Sequence, residues 1–224
     1  MTRTRVRTLL HGLVALAALL AALFATLAST GEAAAAASYS APLNSAIAHL
    51  GVATEHRDGY DRDKFVHWVD ADGDGCDARD EVLIEEADDP PTVGSGCSLS
   101  GGRWFSYYDG VSHTQTSDVD IDHLVPLAEA WDSGAYRWPA SRRQSYANDL
   151  GDHRTLVGVT DNVNQAKGDQ DVAEWLPAQQ QCRYLREFVA AKIRWSLAVD
   201  SAEKAAMEDL AGGCDNTTIT VQVI

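Results

Sequence analysis

The sequence predicts an α+β fold carried by one exported domain. Three observations predict it. Two β-type runs, one closing at Asp122–His123 and one at residues 154–160, are separated by a long connection, and the second leads straight into a short helical segment. A helical hairpin pattern occupies residues 178–213, and all four cysteines lie downstream of an export-type N-terminus. With 224 residues, 45% of them hydrophobic and 23% charged, the chain has room for one sizeable core but not for two full-size domains.

The N-terminal residues 1–37 read as a secretory signal peptide. Arg3, Arg5 and Arg7 precede an apolar run from Leu13 to Leu27, and small residues then lead to Ala33–Ala37, where cleavage is expected. A membrane anchor is the rival reading, but alanine dominates the run and a cleavage-like stretch follows. No later segment is long enough to span a bilayer, so no membrane partner is expected once residues 1–37 are removed. Removal takes three arginines and one glutamate, leaving 187 residues with 15 basic and 32 acidic side chains.

The full chain's net charge of −15 and pI near 4.7 exclude a protein that coats nucleic acid by bulk positive charge, though not an enzyme with a locally positive groove. The excess is uneven. Residues 55–96 hold fourteen acids against four bases, whereas residues 137–204 hold ten bases against nine acids.

In chain order, residues 42–50 read as a short helix with Pro42 at its entry. An acidic Asp/Gly-rich subregion, 55–97, follows. Within it Asp70, Asp72 and Asp74 alternate, Gly75 follows, and Glu81 is the twelfth residue from Asp70. That is the oxygen-ligand spacing of an EF-hand-type calcium loop, so a structural Ca²⁺ is one expectation. The other is an Asp/Gly turn locked by a disulfide. Four cysteines allow three pairings; sequential pairing, Cys76–Cys97 and Cys182–Cys214, closes short loops and is the expected one. The aromatic run at 101–111 reads as strand and turn, destined for the core rather than for stacking bases.

The chemistry concentrates between residues 118 and 171. Asp122 and His123 are adjacent at a strand end, so they point to opposite faces. One can bind a metal while the other works as a base. After the second strand, Asn164 and Lys167 are three residues apart on one face of a short helix, with Asp161 as its expected N-cap and Gly168 as its stop. In the C-terminal part Cys182, Leu185, Val189 and Ile193 repeat at helical spacing, Asp200 and Glu203 mark the start of a second helix, and TTITVQVI reads as a terminal strand. His113 and His153 read as bystanders, and His49, His56 and His67 as structural.

The words DHLVP at 122–126 and NQAKGD at 164–169, with DIDHLVPLAEAWDSGA, YANDL and LVGVTDNVNQAKGDQDVAEWLP around them, resemble the HNH family of ββα-metal endonucleases, in particular a secreted bacterial branch of the GmrSD-type domain. The resemblance runs from about Trp68 to Leu210. It implies a ββα-metal core over 118–171, with added helices and a disulfide-stapled N-terminal region. It implies His123 as the general base, and Asp122 and Asn164 as ligands of a divalent ion, Mg²⁺ first and Mn²⁺ next. Its substrate would be nucleic acid, DNA ahead of RNA. Lys167, Arg142, Arg143 and Arg154 are candidate phosphate contacts. Where the family carries the asparagine that orients the histidine, this chain has Thr155, and Asn148 is a second candidate for that role. A monomer is favoured, and the sequence names no immunity or inhibitor partner. The alternative is a calcium-dependent, disulfide-stapled extracellular binding module whose nuclease centre has decayed. A zinc peptidase is disfavoured, since no H-E-x-x-H occurs.

Overall fold

The computed structural model describes residues 37–224; the signal segment read at 1–37 falls, but for Ala37, outside them. Strand β1 (Ser38–Pro42) runs into helix α1 (Leu43–His49), where the φ of −57° at Pro42 suits helix entry. Leu43, Ala46 and Ile47 of α1 are buried. A 3₁₀ turn at Arg62–Lys64 is capped by Asp61, and the acidic loop then leads to helix α2 (Ala78–Glu85). Asp77 and Asp80 form a reciprocal capping box at its start.

Two small hairpins follow: β2 (Thr92–Val93) with β3 (Leu99–Ser100), and β4 (Trp104–Ser106) with β5 (Val111–His113). Trp104, Tyr107 and Tyr108 are buried, so the aromatic run is core, with Phe105 left outside.

The central hairpin pairs β6 (Val119–His123) antiparallel with β7 (Leu156–Thr160), placing His123 opposite Leu156. Between these strands lie α3 (Leu127–Asp132) and α4 (Ala140–Ala147), and β7 passes directly into α5 (Asp161–Lys167). Every residue of β7 is buried, which explains why LVGV reads as a continuous apolar run instead of an alternation. Asp161 is the first helical residue rather than the N-cap; Thr160 holds the cap position, and Asp161 accepts from Gln165 one turn on. Gly168 ends α5 at φ 56°, a conformation in which glycine carries no Cβ penalty.

The C-terminal hairpin is α6 (Gln181–Trp195) and α7 (Ser201–Ala211), followed by β8 (Thr218–Gln222), which pairs antiparallel with β1. Tyr184, Leu185, Phe188, Val189 and Ile193 make the buried stripe of α6. Asp200 caps α7 by accepting from the Glu203 amide at 2.7 Å. The Glu203 side chain turns inward instead, to Lys192, whose fully buried ammonium also meets Glu129, Ser133 and the Ala198 carbonyl. Among the described residues the strands form four two-stranded sheets. Disulfides Cys76–Cys97 and Cys182–Cys214 close loops of 21 and 32 residues. Loop-closure entropy makes each worth about 3–4 kcal/mol.

Two hydrophobic clusters hold these elements. The larger gathers α1, α3, α4, α6 and the inner side of β7. The smaller unites Val82, Leu83, Trp104, Val119, Ile121 and Leu156, with Trp68 packed at its edge. The central hairpin touches both clusters, which fixes its end, where Asp122 and His123 stand.

Candidate active site

Strand alternation sends Asp120 and Asp122 to one face of β6 and His123 to the other. Helix α5 supplies the partners of the aspartates. Asn164 donates through Nδ2 to Asp120 at 3.3 Å. Asp122 accepts from the Tyr108 hydroxyl at 2.6 Å and from Lys167 Nζ at 2.8 Å, and the same ammonium reaches the His123 carbonyl at 3.1 Å. Burial pushes the Asp122 carboxyl up and the Lys167 ammonium down, and their mutual attraction opposes both shifts.

On the other face, His123 Nε2 lies 3.0 Å from the Ala147 carbonyl at the end of α4. A carbonyl only accepts, so Nε2 carries the proton and Nδ1 keeps its lone pair. The Trp68 ring stacks on the imidazole at 5.5 Å and 29°, and His67 stands 6.3 Å away. Burial lowers the His123 pKa to about 3; the Ala147 bond opposes this, while Arg62, His67 and Lys167 add to it. The imidazole is therefore neutral throughout the working range of pH.

Both faces open on one cleft of about 200 Å³, lined by Arg62, Asp122, His123, Asn164 and Asp169 among others. The donor chemistry fits a hard divalent ion. A carboxylate offers about four lone-pair positions, and the contacts to Lys167 and Tyr108 leave room for one ligand bond from Asp122. With Nδ2 turned to Asp120, the Asn164 Oδ1 remains as a second oxygen donor. Two protein oxygens completed by water and phosphate are a common way of holding Mg²⁺.

The basic residues expected at phosphate lie elsewhere. Lys167 is fully buried against Asp122. Arg154 is bidentate to Asp152 and caps the Thr220 carbonyl. Arg142 donates to the Trp195 and Ile224 carbonyls and lies over the Trp138 ring, and Arg143 donates to the Lys64 and Trp138 carbonyls. Asp152 and carbonyls of chain ends and loops engage these three guanidinium groups, Asp122 engages Lys167, and none of the four lines the cleft of Asp122 and His123. Neither expected orienter touches His123. Thr155 is buried and donates to Asp149, which also binds Arg194 and the Trp195 indole. Asn148 bonds backbone at Val66, Val69 and Gln144. The Ala147 carbonyl holds the ring instead. His113, read as a bystander, pairs with Thr160 at 2.8 Å.

In the acidic loop, carboxylate oxygens of Asp70, Asp72 and Asp74 lie within 4.8 Å of one another, and Glu81, in the first turn of α2, comes as near to Asp74. Asp70 accepts from the amides of Gly73 and Gly75, whose φ values of 79° and 101° make the tight turn possible. Cys76 is in the disulfide, so its sulfur is spent.

Tyr108, Trp68, Arg62, Asp120 and the Ala147 carbonyl were absent from the sequence reading of the site. Asp120 had a visible signal: it shares the face of Asp122 in the same strand. Arg62 lies in the acid-rich stretch 55–96 and stands in no motif that would mark it.

Residues 95–210 match the family model described as GmrSD restriction endonucleases, C-terminal domain. A protein of the fungus Arthroderma benhamiae, described as an uncharacterized secreted protein, is 48% identical over 160 residues, covering 70% of this chain and 77% of that protein. No solved structure matches the chain. The matched segment contains β6, β7 and α5 with Asp122, His123 and Asn164, and the chain belongs to the family of the GmrSD restriction endonuclease C-terminal domain, a nuclease-type domain.

Proposed function

We propose that this is a secreted, metal-dependent HNH-type endonuclease that hydrolyses phosphodiester bonds of nucleic acid, with DNA as the first substrate to test. The observation carrying the reading is that His123, held through Nε2 at 3.0 Å from the Ala147 carbonyl, lines the same cleft as Asp122 and Asn164. Two disulfides and a secreted relative support an extracellular working place. No helix among the described residues is long and apolar enough to cross a membrane.

In this reading His123 Nδ1 takes a proton from the attacking water. The Ala147 carbonyl keeps the ring in the tautomer that can accept it. Asp122 and Asn164 would hold the divalent ion, with Tyr108 and Lys167 fixing the Asp122 carboxylate. When bound, that ion supplies charge stabilisation at the scissile phosphate and the leaving oxygen. Arg62 is the cleft cation suited to a phosphate oxygen. Thr155 is no sign of a decayed centre here, since a backbone carbonyl does the orienting. The acidic loop takes a structural Ca²⁺ in this proposal: burial and the charges of Asp74, Asp72 and Asp70 all raise the Glu81 pKa, the repulsion a cation would relieve.

The test is nicking of supercoiled plasmid by residues 38–224 with Mg²⁺, beside EDTA and His123→Ala. Nicking lost in both controls is expected. Cleavage that survives His123→Ala would place the chemistry elsewhere. Folded, oxidised protein that cuts neither DNA nor RNA with Mg²⁺, Mn²⁺, Ca²⁺ or Zn²⁺ would favour the binding-module alternative.

A further inference from the structure

We propose that Trp68 and Asn148 are positioning residues for His123, acting through one loop; the inference rests on the nuclease reading above. Trp68 stands at φ 60°, in the left-handed region that bulky side chains avoid. Such a backbone persists only where its surroundings hold it. Here the holder is the Asn148 side chain. Its oxygen accepts from the Val69 amide at 2.9 Å, and its nitrogen donates to the Val66 carbonyl at 2.7 Å. It thus brackets His67 and Trp68 on both sides. Its second N–H reaches the Gln144 carbonyl at 2.8 Å, which anchors it to the end of α4.

Held this way, the indole lies against the His123 imidazole and packs its other contacts into the cluster of Val82, Leu83 and Trp104. The residue before Asn148 is Ala147, whose carbonyl receives the His123 Nε2–H. One turn, residues 147–148, therefore sets both the edge of the ring and the loop covering its face. A tryptophan serving only to fill the core gains nothing from a strained backbone at the edge of that cluster. As a wall for His123 it keeps the imidazole in one orientation and limits solvent around it.

The experiment combines plasmid nicking kinetics with NMR of protein ¹⁵N-labelled at histidine, where a slowly exchanging Nε2–H is assigned to His123 by its absence in His123→Ala. Trp68→Ala is expected to lower kcat about 10–100-fold, the scale of a misplaced catalytic group, with KM within about twofold. The Nε2–H signal should then exchange fast, and Trp68→Phe should restore most of both readouts. Asn148→Ala should resemble Trp68→Ala and add little to it, because both act through the same ring. The proposal is overturned by folded Trp68→Ala that cuts at the wild-type rate with the N–H signal intact. It is equally overturned if the loss lies wholly in KM, or if the two substitutions are additive. If the wild type fails to nick while the N–H signal still depends on Trp68 and Asn148, the positioning geometry stands and the nuclease reading falls.

Discussion

The ammonium of Lys167 lies 2.8 Å from the carboxylate of Asp122, both buried, at the point where helix and strand of the central motif meet. A residue nominated for phosphate is thereby an internal counter-ion. Lys167→Met would leave Asp122 buried without its partner. Removing one member of a buried pair costs about 3–5 kcal/mol, so a large drop in the urea midpoint is expected. The salt dependence of DNA binding should not change. If stability holds while the salt slope falls by about one, Lys167 reaches phosphate in the complex.

Arg62 is the counterpart. It is exposed on a one-turn 3₁₀ segment and lines the cleft. Arg62→Ala should raise KM several-fold and reduce the slope of log K against log salt by about 0.7–0.9, the share of one phosphate contact. Thermal stability should be unchanged. A fall in kcat at constant KM would instead put Arg62 at the transition state.

Stability should peak on the acid side of neutrality. Folded His123 stays neutral down to about pH 3, whereas the unfolded chain protonates it near about 6.5. The unfolded chain binds more protons in that interval, so this contribution is lost as pH falls from about 6.5 towards the folded value. Glu86 and Glu203 act in the opposite sense, raised by burial to about 7 and about 8. They hold protons that the unfolded chain releases above about 4.3, so their contribution is lost as pH rises through the folded values. Calorimetry across pH checks the sign, and Glu86→Gln should flatten the alkaline-side decline. A maximum above pH ~8 would mean that these carboxyls ionise normally.

Calcium should stabilise the acidic loop. Extracellular modules bind Ca²⁺ with Kd near about 0.1–1 mM, so ~10 mM Ca²⁺ should add about 1.4–2.7 kcal/mol. The corresponding rise in Tm should vanish in Asp70→Asn and Asp74→Asn, and Mg²⁺ should reproduce it poorly. An equal rise in those variants would assign the effect to another site.

Much of the frame was legible because its signals are local. Strand β7 followed by α5 and Gly168 is a run of thirteen residues that contains Asn164, and Asp122–His123 are an adjacent pair closing the separate run of β6. The acidic loop and the helix start at Asp200 are local in the same way. The site's inner contacts are not. Tyr108 meets Asp122 across a hairpin, and Trp68 meets His123 only after the chain has folded back over 55 residues. Composition also cannot say which cations are spent. Arg142 is consumed by carbonyls far along the chain and Arg143 by one far and one near, while Arg154 has its partner two residues away in Asp152, a pairing the sequence does display.

The pairing of β1 with β8 has a bearing on synthesis. Ser40 and Thr220, hydroxyl to hydroxyl at 2.8 Å, are 180 positions apart, and Arg194 donates to the Gln222 carbonyl in the same seam. Contacts this distant close late, after the intervening chain has been delivered. A polypeptide threading through a translocon thus lacks its closing seam until residue 222 has emerged. On the nuclease reading proposed above, topology alone keeps the chain unassembled during transit and so spares the nucleic acid of the cell making it.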